Sequence, residues 1–291
     1  MLLLALLAVL GSDGAAGVPL TRSVTISVYT KKQAPVLDLK AEELALSENG
    51  RPRKVLDLTL DQRPLDVAIV VDSGATVAPA YRSDLVPATV DFWKALPQGT
   101  TVALWSTAPA KIMDFGGDLA GAETKLRMIA AAGGNYGFDS MIDACKALGQ
   151  RGAPRRAIVY VGSGSLQSSR TGTQALMRAI GEARVTPLVV LVLPSARGAF
   201  AGGPSGDAVQ SWDVQDYFAQ MAKAYQGSYV EALSTLAVAQ WLKQAAADLN
   251  GQYRVRFESE SGPAGAVKVE TRRKDAKLRV GRVAEEVLTA N

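Results

Sequence analysis

The sequence predicts an α/β protein: a three-layer αβα, Rossmann-like domain with a mostly parallel central sheet, plus a small discontinuous β domain built from both ends of the chain. Three observations predict it. Residues 67–71, 157–161 and 187–193 are continuously apolar, as strands covered on both faces are. Between them apolar residues recur at helical spacing, as at Phe138, Ile142, Cys145 and Leu148. Both ends of the chain instead alternate with period two, as in Ser23-Val24-Thr25-Ile26-Ser27-Val28-Tyr29 and in Tyr253, Val255 and Phe257 interleaved by Arg254 and Arg256. Strands alternating with helices over short connections argue helices on both faces of a parallel sheet.

Residues 1–10 are an unbroken apolar run followed by the small residues Gly14, Ala15, Ala16 and Gly17. Over 1–16 this reads as a secretory signal; a buried first strand is the alternative. The run is short of the roughly 20 residues a membrane span needs, and nothing else reads as transmembrane. Residues 22–63 form the N-terminal half of the small β domain. They carry strands at 23–29 and 53–60 and the turn pair Asn49-Gly50, both of which tolerate positive φ. From Pro64 the pattern changes, and 64–250 reads as the α/β domain. Its strands are 67–71, 101–105, an edge strand at 111–115, 157–161, 187–193 and 227–230. Its first helix carries Leu85, Thr89, Phe92 and Leu96 and starts or kinks at Pro87. Further helices are expected at 122–130, 137–149, 173–183 and 213–224. A last one carries Val238, Leu242, Ala245 and Leu249 on one face. The Gly-, Ala- and Pro-rich loop from 194 is long for a compact connection. Residues 251–283 return to period two as the C-terminal half of the small domain, and 284–291 is a tail.

The chain has 291 residues, 48% of them hydrophobic, which is enough for a substantial core. It has no His, which removes the imidazole base of Ser-His-Asp and Cys-His nucleophile systems. A single Cys, Cys145, rules out an internal disulfide and the common structural zinc sites, and its apolar setting reads as packing. No catalytic constellation emerges, so no enzyme is expected. Residues 252–282 hold nine Lys or Arg against four Asp or Glu. Arg254, Arg256, Arg272 and Arg273 therefore read either as a solvated strand face or as a patch for an acidic surface. Without a stacking platform or recognition helix, nucleic acid is not an expected partner. The run from Gly162 to Arg170 lacks the G-x-x-x-x-G-K-[ST] pattern and reads as a polar loop.

Several motifs follow one another in a telling order. Leu37-Asp38-Leu39 leads to Asn49-Gly50, then to a core strand ending in Asp72-Ser73-Gly74-Ala75-Thr76. Gly133-Gly134-Asn135, Val161-Gly162-Ser163-Gly164 and Gln252-Tyr253-Arg254-Val255 come after. In this order and spacing the chain, from about Val24 to Val283, resembles the von Willebrand factor type A-related family of exported bacterial proteins. The resemblance implies a metal-ion-dependent adhesion site: a D-x-S-x-S loop, a Thr after a Gly-Gly, and an Asp ending a later strand. Here Asp72 is kept, Gly74 replaces the middle hydroxyl and Thr76 keeps the last. Asn135 stands in place of the Thr, with an amide oxygen able to coordinate weakly, and Ser163 replaces the second Asp. Magnesium takes about six oxygens and dehydrates reluctantly. With one carboxylate left, tight binding is expected to be lost, the strong ligands being at best Asp72 and Thr76. A weak magnesium site using Asp139 or an acidic partner is the alternative. Asp72 equally reads as a residue that fixes its turn.

The loops 72–78, 105–109, 133–138, 162–172 and 194–212 should gather at the carboxyl end of the sheet, where open α/β sheets bind ligands. Trp105, Tyr136, Phe200 and Trp212 would supply aromatic contacts there, or pack against their own domain. The expectation is an exported protein (periplasmic, envelope-associated or extracellular). It is a non-enzymatic module that binds a protein partner through this rim without a cofactor. The alternatives are an adhesin with a weak magnesium site and an envelope scaffold that meets an acidic surface through its basic C-terminal β unit.

Overall fold

A computed structural model describes residues 20–32, 34–108, 110–163, 168–193, 207–260 and 262–285. The expected signal over 1–16, Phe200, most of the loop from 194 and the last residues of the tail lie outside the described residues.

The centre is a six-stranded sheet in the order β10-β9-β8-β5-β6-β7. These strands are β5 (Leu65–Val71), β6 (Thr101–Ser106), β7 (Ala110–Met113), β8 (Arg155–Ser163), β9 (Thr186–Val192) and β10 (Ser228–Ala232). All neighbours pair in parallel except the edge strand β7, which is antiparallel to β6. Every residue of β5 is buried, which explains its unbroken apolar sequence. Period two then divides the strand residues between two cores. Val67, Ile69, Val71, Leu104 and Val159 pack under α2 (Val86–Lys94), α3 (Leu119–Met128) and α7 (Thr235–Asn250). Ala68, Val70, Trp105 and Tyr160 pack on the other face under α4 (Gly137–Arg151), α5 (Thr173–Ala183) and α6 (Asp207–Ala224). Cys145 lies in this second core, where burial pushes its thiol up to about 12.

Two helix starts differ from the sequence reading, while the first helix begins at Val86-Pro87 as expected. The one-turn α1 (Ala78–Ala80) and a π-helical turn, Tyr81–Leu85, precede α2 and bury Tyr81 and Leu85. Pro87 then falls in the first turn of α2, where its missing N–H is not needed. Helix α3 starts at Leu119 rather than 122, because Asp118 caps it by accepting from Gly121 N at 2.7 Å. Helix α6 is already helical at Asp207 rather than from 213.

The strands from the two ends form two smaller sheets. One has the order β13-β1-β11-β4, with β1 (Leu20–Thr30), β4 (Val55–Leu60), β11 (Gln252–Ser259) and β13 (Ala276–Glu285). The other has the order β12-β2-β3, with β2 (Leu44–Glu48), β3 (Arg51–Arg53) and β12 (Val267–Thr271). Val24, Ile26, Val255 and Phe257 of the first sheet share a core with Leu44, Leu46 and Val269 of the second. A buried pair, Arg22–Glu48 at 2.8 Å with Ser259 bridging, crosses that core. Arg155 ties these sheets to the α/β unit. Its guanidinium donates to Asp61 O, to Leu249 O and to Gln252 Oε1, joining β5's approach, the end of α7 and the start of β11. Among the described residues no helix is long and apolar enough to cross a membrane.

Candidate functional site

The chain leaves β5 at Asp72, at the carboxyl end of the central sheet, and Asp72 is fully buried there. Its Oδ1 accepts from Gly74 N (2.7 Å) and Thr107 Oγ1 (3.0 Å). Its Oδ2 accepts from Asn135 Nδ2 (3.0 Å), Ser163 N (2.8 Å) and Ser163 Oγ (2.6 Å). A carboxylate offers about four lone-pair sites, so these donors saturate it. The orientation of the Asn135 amide follows from its surroundings. Its nitrogen also donates to Tyr160 OH at 2.9 Å, and its oxygen accepts from Gly137 N at 2.8 Å. Turned the other way, the amide oxygen would face the carboxylate and the NH₂ would face an N–H.

The loops are laced to one another around this group. Ser73 N donates to Thr107 Oγ1 at 2.9 Å, Ala75 N to Gly133 O at 3.1 Å, and Tyr136 N to Thr107 O at 2.8 Å. Gly162 lets β8 pass close by: a Cβ there would sit 2.6 Å from Asp72 Cβ and 2.7 Å from Tyr160 OH. Burial, with Asp72 near, raises the Tyr81 phenol above its ordinary 10.0.

Among known structures, the chain is similar to a von Willebrand factor type A protein from Catenulispora acidiphila. The TM-score is 0.50 at 12% identity, covering 93% of this chain and 75% of that one. The fold is von Willebrand factor type A-like. Proximal thread matrix protein 1 from the mussel byssus is similar at a TM-score of 0.50 and 9% identity, covering 79% of this chain and 51% of that one. No protein-family model and no curated protein matches the sequence. At these identities the likeness concerns the fold alone.

That fold raises the question of a divalent metal, and the residues do not fit one. Magnesium needs oxygens facing inward with free lone pairs. Both Asp72 oxygens are taken, Asn135 presents NH₂ rather than oxygen, and Gly74 has none to present. Ser163, where the family resemblance expects an Asp, donates its hydroxyl to Asp72. Thr76 is exposed on the turn Ala75–Val77 rather than buried beside Asp72. Asp139 accepts from Arg170 N at 2.8 Å and Thr171 N at 3.1 Å, and so pins the loop before α5. Among the described residues no group of three or more His, Cys, Asp or Glu is placed to hold a metal ion.

The structure brings Asp72, Gly74, Asn135 and Ser163 into one network and leaves other named residues elsewhere. Trp105 is not a rim contact. It lies on the strand face that packs under α4, donates Nε1–H to Asp143 Oδ2 at 2.8 Å, and meets Phe115 edge-on. Tyr136 is half-buried at the start of α4, and Trp212 belongs to α6. Arg254 and Arg256 project from β11 beside Thr25 and Ser23 of β1. Arg272 is exposed after β12, whereas Arg273 is engaged by Asp38 (2.7 Å) and Glu43 (2.9 Å). Sequence reasoning missed Thr107 and Tyr160. A hydroxyl just past the end of β6, next to β5, was the available signal for Thr107; Tyr160 sits in an apolar strand and gave none.

Proposed function

We propose that the protein is an exported, non-enzymatic binding module that engages a protein partner through the loops at the carboxyl end of its central sheet, without a bridging metal. The observation that carries this reading is the saturation of Asp72 by five protein donors, which leaves no coordination position to share with a partner's carboxylate. The network instead fixes the loops 72–77, 107–108, 133–136 and 168–172 relative to one another, the kind of pre-organised surface that binds at low ordering cost. The export part of the proposal rests on the apolar run at 1–10. The test is capture of a partner from the cell envelope with the full chain, repeated in chelator. Undiminished binding in chelator, lost in Thr76→Arg and in Tyr136→Ala, is expected. Release by chelator, or indifference to both substitutions, contradicts it.

A further inference from the structure

At the opposite end of the central sheet, about 20 Å along β5 by strand rise, a cleft of about 780 Å³ opens between the α/β unit and the four-stranded sheet. Arg63, Arg155, Arg156, Arg184 and Arg279 line it, and its described lining includes no Asp or Glu. Three of these charges are matched from behind: Arg63 and Arg155 by Asp61, and Arg279 by Asp248. Arg156 and Arg184 make no ion pair with any described residue. The Arg156 Nε–H is buried and unpartnered. Burial first, and the like charge of Arg184 second, lower the pKa of Arg156, against the smaller opposing effect of Asp66 across the β5–β8 pair. A buried guanidinium N–H with no acceptor, facing another cation, is a costly arrangement. The Nε atoms of Arg22, Arg53 and Arg155 are likewise unpartnered, but each of those guanidiniums has a carboxylate within 4 Å.

A second observation is independent of charge. Three non-glycine residues among those described have left-handed backbone: Asn49, Arg184 (φ 52°) and Gln226 (φ 56°). Asn49 lies in an Asn-Gly turn, where this is usual. Arg184 and Gln226 end α5 and α6, positions that favour glycine, and both line the cleft. The backbone strain is thus kept where the side chain reaches the cleft.

We propose that this cleft is a binding site for a phosphate-bearing ligand, held by Arg156 and Arg184. Two guanidinium forks on one anion match a tetrahedral group with at least three acceptor oxygens, whereas a single carboxylate fills only one fork. The hydroxyls of Ser23, Thr25 and Ser27 and the amide of Gln226 supply the neutral hydrogen bonds around it. The site lies away from the rim around Asp72 and does not depend on the function proposed for that rim.

The test is calorimetric titration of pyrophosphate into the full chain at low ionic strength, with sodium chloride as the ionic control. Saturable binding is expected, weakened at least about tenfold, as loss of a charge-assisted contact implies, in Arg184→Gly and in Arg156→Gln. Lys125→Gln, which removes one positive charge elsewhere, should leave it unchanged. Arg184→Gly relieves backbone strain, so its melting midpoint should hold or rise and a loss of binding cannot be a loss of fold. A parallel arm measures co-sedimentation with phosphatidylglycerol vesicles. Dependence on the same two arginines there, without pyrophosphate binding, assigns the phosphate to a lipid headgroup. Binding of neither probe, or equal binding by Arg184→Gly and Lys125→Gln, overturns the proposal.

Discussion

At the carboxyl end of the central sheet one buried carboxylate meets five donors from four separate loops. At the amino end five arginines line a cleft whose described lining holds no carboxylate. Both ends are made of strand termini and their loops, and topology alone points to the carboxyl end. The polar bookkeeping separates them differently. Asp72 is fully answered from within the chain, and its donors tie the loops of that end to one another. Arg156 and Arg184 make no ion pair with any described acidic group, and theirs is the cleft proposed to take an anion from outside. The arginines without an ion-pair partner thus lie at the second end, not at the first.

The contrast is broken most severely at Asp72. Asp72→Ala strands the N–H of Gly74 and the donors of Thr107, Asn135 and Ser163 in a buried site, with an expected loss of about 4 kcal/mol, read from urea unfolding midpoints. Arg155→Met comes next. It unpairs Asp61 O, Leu249 O and Gln252 where the small sheets meet the α/β unit, for an expected loss of about 3 kcal/mol. Its acid limb sharpens the point. Burial alone would raise the Asp61 carboxyl, but Arg63 and Arg155 hold it below its ordinary 3.8. Its contribution is therefore complete above pH 3.8 and fades as pH falls through the lower folded value. Arg155→Met should unfold at higher pH than the wild type in acid titration followed by circular dichroism. Gly162→Ala forces a Cβ against Asp72 and Tyr160, at an expected cost of about 2 kcal/mol. Arg184→Gly should move the other way, gaining up to about 1 kcal/mol as left-handed backbone becomes unstrained. A destabilised Arg184→Gly would mean that the arginine holds the fold rather than a ligand.

The layers were legible in the sequence because their signals are local. Continuous apolar runs marked β5, β8 and β9, period two marked β1 and β11, and the edge strand β7 was visible beside β6. Boundaries set by side-chain caps or by unusual turns were not. Asp118 moved the start of α3, the π-helical turn at Tyr81–Leu85 ahead of α2 left no local signal, and α6 is already helical at Asp207, inside what reads as loop. Nearness to a strand end leaves Trp105 open between a rim contact and packing within its own domain. Period two would have placed it with Ala103 on the face under α4. Asp72, Gly74, Asn135 and Ser163 were identified as one set through a motif, but their mutual satisfaction depends on Thr107 and Tyr160, which come from other strands. The arginine cleft was not legible at all, since its residues are scattered from Arg63 to Arg279 and meet only in the fold.

The decisive measurement is a Mn²⁺ titration of the wild-type chain and of the double variant Gly74→Ser, Ser163→Asp, each followed by calorimetry. The wild type should give no saturable heat, and the variant, with a second carboxylate and a hydroxyl returned to the site, should bind the ion. Saturation of the wild type at micromolar Mn²⁺ would show that Asp72 is not closed, and the metal-free account of the rim would fall with it.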